Sequence, residues 1–265
     1  MRDSWRLAVG TFTAVPVRAP RTVDRRTLGR AMLLAPLTTV PVVLIWVILA
    51  LLTTRGLLPY AVAAVLALVV PALLSRALHL DGLADLADGL TSGHDRGHSL
   101  EVMRRGDTGP AGATALVLVL GLDAACLAAL LTDAAGTVLA VTAFFASRVA
   151  PAICARDGIP AARGEGLGQS VAGTVARRAL VGLVALVSLV AVAAATLSAR
   201  AAGWPWWTPS LGGEAVVLAA ASAAVATRRH AVSRLGGITG DVIGAAIEVG
   251  LATSLVVASA VHATL

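Results

Sequence analysis

The sequence predicts an all-α fold: a polytopic integral membrane helical bundle of about seven transmembrane helices, with the N-terminus cytoplasmic. Three observations carry that expectation. Of 265 residues, 57% are hydrophobic and only 14% charged, with a mean hydropathy of +0.85, whereas soluble domains average roughly 45–50% apolar and about 25% charged. The apolar residues fall in blocks close to the ~20 residues a membrane span needs. The number of Arg residues between blocks rises and falls in strict alternation. A chain this apolar cannot remain disordered in water. No stretch suggests a soluble domain, so residues 1–265 are read as a single integral membrane domain.

The spans are expected, in order, at 32–53, 57–78, 112–132, 135–155, 179–198, 212–227 and 241–262. The first follows an N-terminal segment with seven Arg and no apolar core before a cleavage site, which is therefore no signal peptide. Arg55 separates the first span from the second, and an acidic stretch follows the second. The third and fourth, with no Arg between them, carry Asp123 and Arg148. Arg177 and Arg178 lead into the fifth. The sixth is short, has Glu214 near one end, and stops at Arg228 and Arg229. Asp241 opens the seventh.

Counted segment by segment, Arg runs 7, 1, 4, 0, 4, 1, 3, 0. Positive residues stay on the cytoplasmic side, so the N-terminus is expected inside and the C-terminus outside. Trp204, Trp206 and Trp207 then fall in an external loop, where aromatic rings anchor at the headgroups. All 21 basic residues are Arg, a bias of composition. The net charge of +6 and a pI near 11.0 follow from this topology signal and do not call for nucleic acid. Cys126 and Cys154 both lie in apolar segments, which excludes a disulfide framework or a Cys-rich metal site.

The stretch densest in chemistry is His79-Leu80-Asp81-Gly82-Leu83-Ala84-Asp85-Leu86-Ala87-Asp88-Gly89. Spacings of four and three put Asp81, Asp85 and Asp88 on one stripe of a helix. Like charges so placed repel, and a hard cation such as Mg²⁺, which takes oxygen ligands and keeps sites for substrate phosphates, would relieve them. Each charge at the bilayer centre costs about 2.5–3.5 kcal/mol on insertion scales, so the stripe faces a polar cavity or the cytoplasm. The other reading is a solvated acidic turn at a helix end. Gly82 and Gly89 suit a place where backbone or ligand approaches closely.

This string resembles the signature of the cobalamin-5′-phosphate synthase family, the adenosylcobinamide-GDP ribazoletransferases. Arg163-Gly164-Glu165-Gly166-Leu167-Gly168 is similar to the family's basic-acidic-Gly-Leu-Gly loop. Gly236-Gly237-Ile238-Thr239-Gly240-Asp241, with Gly244-Ala245 and Glu248, resembles its C-terminal segment, and Phe12 to Val17 its Phe-x-x-x-Pro-Val entry. These matches run in the family's order. The sequence departs from it at Met103-Arg104-Arg105-Gly106-Asp107-Thr108-Gly109, where acidic and basic positions are exchanged. No metal role passes to Arg105, and Asp107 stays a candidate.

The resemblance implies a membrane-bound transferase that joins adenosylcobinamide-GDP to α-ribazole or its 5′-phosphate and releases GMP, with Mg²⁺ as cofactor. It implies Asp81, Asp85 and Asp88 as metal ligands, with Glu248 completing the set, and Asp88 or Asp241 as the catalytic base. Asp241 and Glu248, seven apart, share a helix face; a helix-start Asp and a separately paired Glu are the alternative. Arg148 would bind phosphate or pair with Asp123. Arg163 and Glu165 would close over the nucleotide or remain solvated. Gly236, Gly237 and Gly240 would offer backbone N–H groups to phosphate before a helix start. His79 would bond a carboxylate or phosphate, or cap its span. The expected partners are the two substrates and the bilayer, and the expected place is the plasma membrane with the site facing the cytoplasm. The sequence leaves open whether the protein forms a homo-oligomer.

Two other classes compete. A CDP-alcohol phosphotransferase of phospholipid synthesis has an Ala-Arg pair after its second Asp, where this chain has Ala87-Asp88-Gly89. A cation-coupled transporter would use intramembrane acids as an ion path, but the acidic stripe has no second copy.

Overall fold

The computed structural model describes residues 1–93, 95–202 and 207–264. Two short helices come first. α1 (Arg2–Phe12) buries Ser4, Ala8, Val9 and Phe12 along one face. α2 (Arg25–Leu33) is capped by Asp24, whose carboxylate accepts the Thr27 N–H at 2.7 Å. A tight turn over Ala35–Thr39 then runs into α3 (Val40–Thr54), and together they form a 20-residue apolar segment.

α4 (Tyr60–Ser75) should have run on to residue 78. Instead it stops and the chain turns through 90° into α5 (Leu78–Thr91). Arg76 and Ala77 sit in the left-handed region, with φ 55° and 58°. For residues with a side chain that conformation costs roughly 1–2 kcal/mol each, so packing of the two helices must hold the bend. The N–H groups of Arg76 and Ala77 close back onto the Leu73 and Ala72 carbonyls, and the Ala77 carbonyl accepts the Asp81 N–H that starts α5.

α6 (Arg96–Val102) is short and capped by Asp95. The remaining spans lie close to expectation: α7 (Pro110–Leu130), α8 (Ala134–Ser147) continued by α9 (Ala150–Cys154), α11 (Arg177–Ala202) and α13 (Gly240–His262). A small helix, α10 (Gly166–Val171), sits in the loop before α11. At the start of α8, Asp133 accepts the Gly136 N–H at 2.8 Å and meets His262 at 2.9 Å. Burial pushes the Asp133 carboxyl up, but the Gly136 N–H and the His262 ring outweigh it and hold it below its ordinary value.

α12 (Trp207–Leu235) runs well past the expected end at 227. The Arg residues that looked like a loop belong to its last turns. Arg228 donates to the Ile153 carbonyl and Arg234 to those of Leu90 and Gly93. Guanidinium groups at a helix C-terminus that bond neighbouring chain ends are favourable there. Trp204 and Trp206 lie outside the described residues, as does the Trp207 side chain.

The described residues thus hold six helices able to cross a membrane, or seven if α4 and α5 count as one broken span, and no β-strand. α13 is the central post, packed against α5, α7, α8, α9 and α12, with Val242 to Ile247 all buried. α7 and α11 are peripheral: Val117 is 71% exposed and Leu197 67%. Lipid provides no hydrophobic drive between helices, so close packing of small residues does the joining.

Candidate active site

α5 and the first turn of α13 meet at Gly82. A Cβ there would lie 2.8 Å from the Asp241 carbonyl oxygen and 2.9 Å from its Cα, so only glycine lets the helices touch. The close approach foreseen for Gly82 is therefore to a backbone. At Gly89 the neighbour is the Met103 side chain. Gly244 lies against the His79 backbone one turn further along.

This contact brings together residues far apart in the chain. Asp81, Asp88 and Asp241 all lie close enough to act on the Asp85 carboxylate, and Arg163 is the opposing charge. Asp81 is exposed, and Asp85 and Asp241 are half-buried. The Thr239 hydroxyl accepts the Val242 N–H at 3.2 Å to cap α13 and donates to Asp241 Oδ2 at 3.1 Å. Arg163 Nη1 stands 3.7 Å from the same oxygen, while Nη2 donates to the Leu100 carbonyl at 2.8 Å. The buried Arg163 Nε has no hydrogen-bond partner among the described residues. Among those residues, no three His, Cys, Asp or Glu side chains converge to metal-binding distance.

Asp88 is placed differently from its neighbours. It is buried, and its two oxygens accept the N–H groups of Gly109 at 2.7 Å and Gly112 at 2.9 Å. These are orphan donors at the start of α7, where negative charge is favoured. Both Asp88 oxygens are thus engaged with the start of α7, which ties α5 to α7.

Glu248, His79 and Arg148 form a second, deeper group. Glu248 lies two turns beyond Asp241, about 10 Å along α13, and its Oε1 is 3.6 Å from His79 Nδ1. Glu248 and His79 are both buried. Arg148 lies over the Phe144 ring at 4.0 Å and donates to Ser147 Oγ at 2.6 Å. No ion pair joins Arg148 to Asp123 among the described residues, although each acts electrostatically on the other. The close contact of Glu248 is with His79, one turn from Gly244 and away from Asp241.

The loops over the carboxylates are tied down by arginines. Arg104 reaches Glu165 at 2.7 Å in an exposed pair. Arg96 donates to the Ala162 carbonyl and covers Gly236, which is left-handed at φ 73°. The Gly236 N–H is already bonded to the Val232 carbonyl. Gly237 packs on the backbone of Ala161, and the Ile238 N–H and carbonyl bond Pro160 and Ala162. Gly240 is the first residue of α13. Sequence reasoning missed Arg96, Arg104 and Arg234 as loop ties. Thr239 carried a signal, a cap residue directly before Gly-Asp at a helix start.

Comparison with known proteins finds a family model described as cobalamin-5-phosphate synthase that matches residues 4–259. An adenosylcobinamide-GDP ribazoletransferase of Nocardioides sp. is 42% identical over 256 residues, covering 96% of this chain and 97% of its own. Proteins of that name from Frankia casuarinae and Bradyrhizobium diazoefficiens are 36% and 34% identical, covering 95% and 96% of this chain and 92% of each relative. No solved structure matches.

Proposed function

Since the chain belongs to the cobalamin-5-phosphate synthase family, we propose that it transfers the phosphocobinamide group of adenosylcobinamide-GDP to α-ribazole or its 5′-phosphate, releasing GMP at the cytoplasmic face of the plasma membrane. The single observation that carries the reading is the meeting of Asp81 and Asp85 on α5 with Asp241 on α13, opposed by Arg163. An oxygen-only donor set, partly open and more negative than its one arginine can balance, suits a hard divalent cation. Mg²⁺ taking one or two of the carboxylates of Asp81, Asp85 and Asp241, and its other ligands from water and substrate, would offset charge on the diphosphate.

The chain's own residues supply the rest. The Arg163 guanidinium, with an N–H to spare, holds a phosphoryl oxygen through a charge-assisted hydrogen bond. The acceptor hydroxyl oxygen bonds to the phosphorus that carries cobinamide, the bond to the GMP oxygen breaks, and GMP leaves with that electron pair. The hydroxyl proton goes to a carboxylate. Asp241 is the fitting acceptor, because its Oδ2 is oriented by the Thr239 hydroxyl. α2 supports a cytoplasmic site: Arg25 donates to the Gly173 carbonyl, which puts the Arg-rich N-terminal segment at the carboxylate end of the bundle.

The test is GMP release by the purified protein in liposomes with Mg²⁺. Release from adenosylcobinamide-GDP that depends on added ribazole supports the reading. Phosphatidyl transfer from a CDP-lipid, or no GMP with either acceptor, overturns it.

A further inference from the structure

Arg228 and Arg156 stand apart from the other arginines near the site. Arg163, Arg104 and Arg105 each face a carboxylate within 4 Å, and Arg96 and Arg234 are used on carbonyls. Arg228 is 5% exposed. Its Nη1 donates to the Ile153 carbonyl at 3.1 Å, at the end of α9, and its Nε is buried with no partner among the described residues. Arg156 lies two residues past the end of α9, and its Nε is likewise buried and without a partner among the described residues. Arg156 is the charge that acts most strongly on Arg228, with Arg229 a further cation. No carboxylate lies within ion-pair distance of any of the three among the described residues.

Two neighbouring guanidinium groups repel, and burying Arg228 beside half-buried Arg156 with no counter-charge is costly. Capping α9 accounts for Nη1 of Arg228 and leaves its buried Nε without a partner among the described residues. The planar forks that remain match the oxygens of a phosphate in paired hydrogen bonds. The location also fits. Arg156 pairs through its backbone with Val175, and the same loop carries Arg163 and bonds to the strand-like residues before α13 at Ala161 and Ile238. One loop therefore ties the basic pair to the carboxylate site.

We propose that Arg156 and Arg228 form a subsite for a phosphate monoester, the 5′-phosphate of the acceptor, apart from the carboxylates that take the diphosphate donor. The assignment to the acceptor rests on the transfer reading above. It makes the phosphorylated acceptor the better substrate, with its phosphate held away from the reacting diphosphate.

The experiment uses the full chain in phosphatidylcholine nanodiscs and measures KM for α-ribazole 5′-phosphate and for α-ribazole. Arg156→Gln is the first variant, because Arg228→Gln also removes the tie to Ile153. The ratio of the two KM values should rise about tenfold or more in Arg156→Gln and return most of the way in Arg156→Lys. Arg55→Gln, a charge loss in a remote loop, should leave the ratio where it is. Equal movement of both KM values, or none, overturns the proposal. If the wild type releases GMP with neither acceptor, the transfer reading fails and the subsite is judged by inorganic phosphate alone. Phosphate should then raise the unfolding temperature of the wild type but not of Arg156→Gln, and the absence of that difference overturns the subsite as well. Stabilisation by phosphatidylglycerol in place of phosphate also overturns it, by giving the pair to a lipid headgroup.

Discussion

Asp88 and Gly112 join two helices: Asp88 Oδ1 accepts the Gly112 N–H at 2.9 Å, and Oδ2 accepts that of Gly109. The same close fit leaves no space beside Gly112, where a Cβ would collide with the Asp88 carboxylate and with Ala84. Asp88→Asn keeps one acceptor and replaces the other by a donor facing an N–H. Hydrogen bonds to charged groups contribute roughly 1.5–3 kcal/mol. The variant should therefore lower the unfolding temperature in detergent, whereas Asp85→Asn should abolish GMP release with the unfolding temperature unchanged. Equal stability of Asp88→Asn and wild type would remove the anchoring role.

Chelation should stop turnover if the carboxylates hold a divalent cation. EDTA should abolish ribazole-dependent GMP release, and added Mg²⁺ should restore it. Asp81→Asn and Asp241→Asn should each raise the Mg²⁺ concentration for half-maximal rate at least as much as the loss of an outer partner of a metal ligand does, about 10–100-fold. A rate indifferent to EDTA would end the metal assignment.

Gly82 allows the α5–α13 contact, so its substitution tests whether that contact matters for chemistry. In Gly82→Ala the added methyl meets the Asp241 backbone, and overpacking of this kind costs about 1–3 kcal/mol. The helices must part, and Asp85 moves away from Asp241. The variant should be less stable and slower, while Gly121→Ala, in α7 with nothing within 4 Å, should match the wild type or exceed it slightly. Full activity of Gly82→Ala would show that the two carboxylates work independently.

The loops provide a contrast between a bound and a solvated arginine. Arg104 and Glu165 are both largely exposed, and such pairs contribute about 0–1 kcal/mol, so Glu165→Gln should leave the unfolding temperature within error. Arg163 is mostly buried between Asp241 and the Leu100 carbonyl. Arg163→Gln should raise KM for adenosylcobinamide-GDP and lower the turnover rate, measured by GMP release.

The spans were legible because long apolar runs broken by Arg admit one arrangement, and the acidic helix because spacings of four and three repeat along it. What failed to show was whatever depended on a backbone partner. Asp88 looked like its neighbours Asp81 and Asp85, and nothing in the sequence says that its oxygens meet N–H groups 21 and 24 residues away. Arg228 and Arg234 looked like loop residues, because their carbonyl acceptors carry no side-chain signature. The turn at Arg76 and Ala77 has neither glycine nor proline at its centre, so the usual breaker signal was missing. Glu248 shares a helix face with Asp241, yet it sits two turns deeper in the bundle, beside His79.

That depth makes the last prediction a direct one. Glu248 is buried within 3.6 Å of His79 and is electrostatically coupled to Arg148. Removing one partner so that a buried polar group is left unsatisfied costs about 1–3 kcal/mol. Glu248→Gln should therefore lower the unfolding temperature more than Asp81→Asn does, since exposed Asp81 has no such partner among the described residues. Its Mg²⁺ requirement should stay that of the wild type, because the carboxylate lies away from the other three. A ligand would behave in the opposite way, with Mg²⁺ dependence shifted and stability spared. Titrating Mg²⁺ against GMP release in Glu248→Gln and Asp241→Asn side by side separates the two outcomes: if the Glu248 variant follows the Asp241 variant, Glu248 belongs to the cation site and the deeper cluster is not structural.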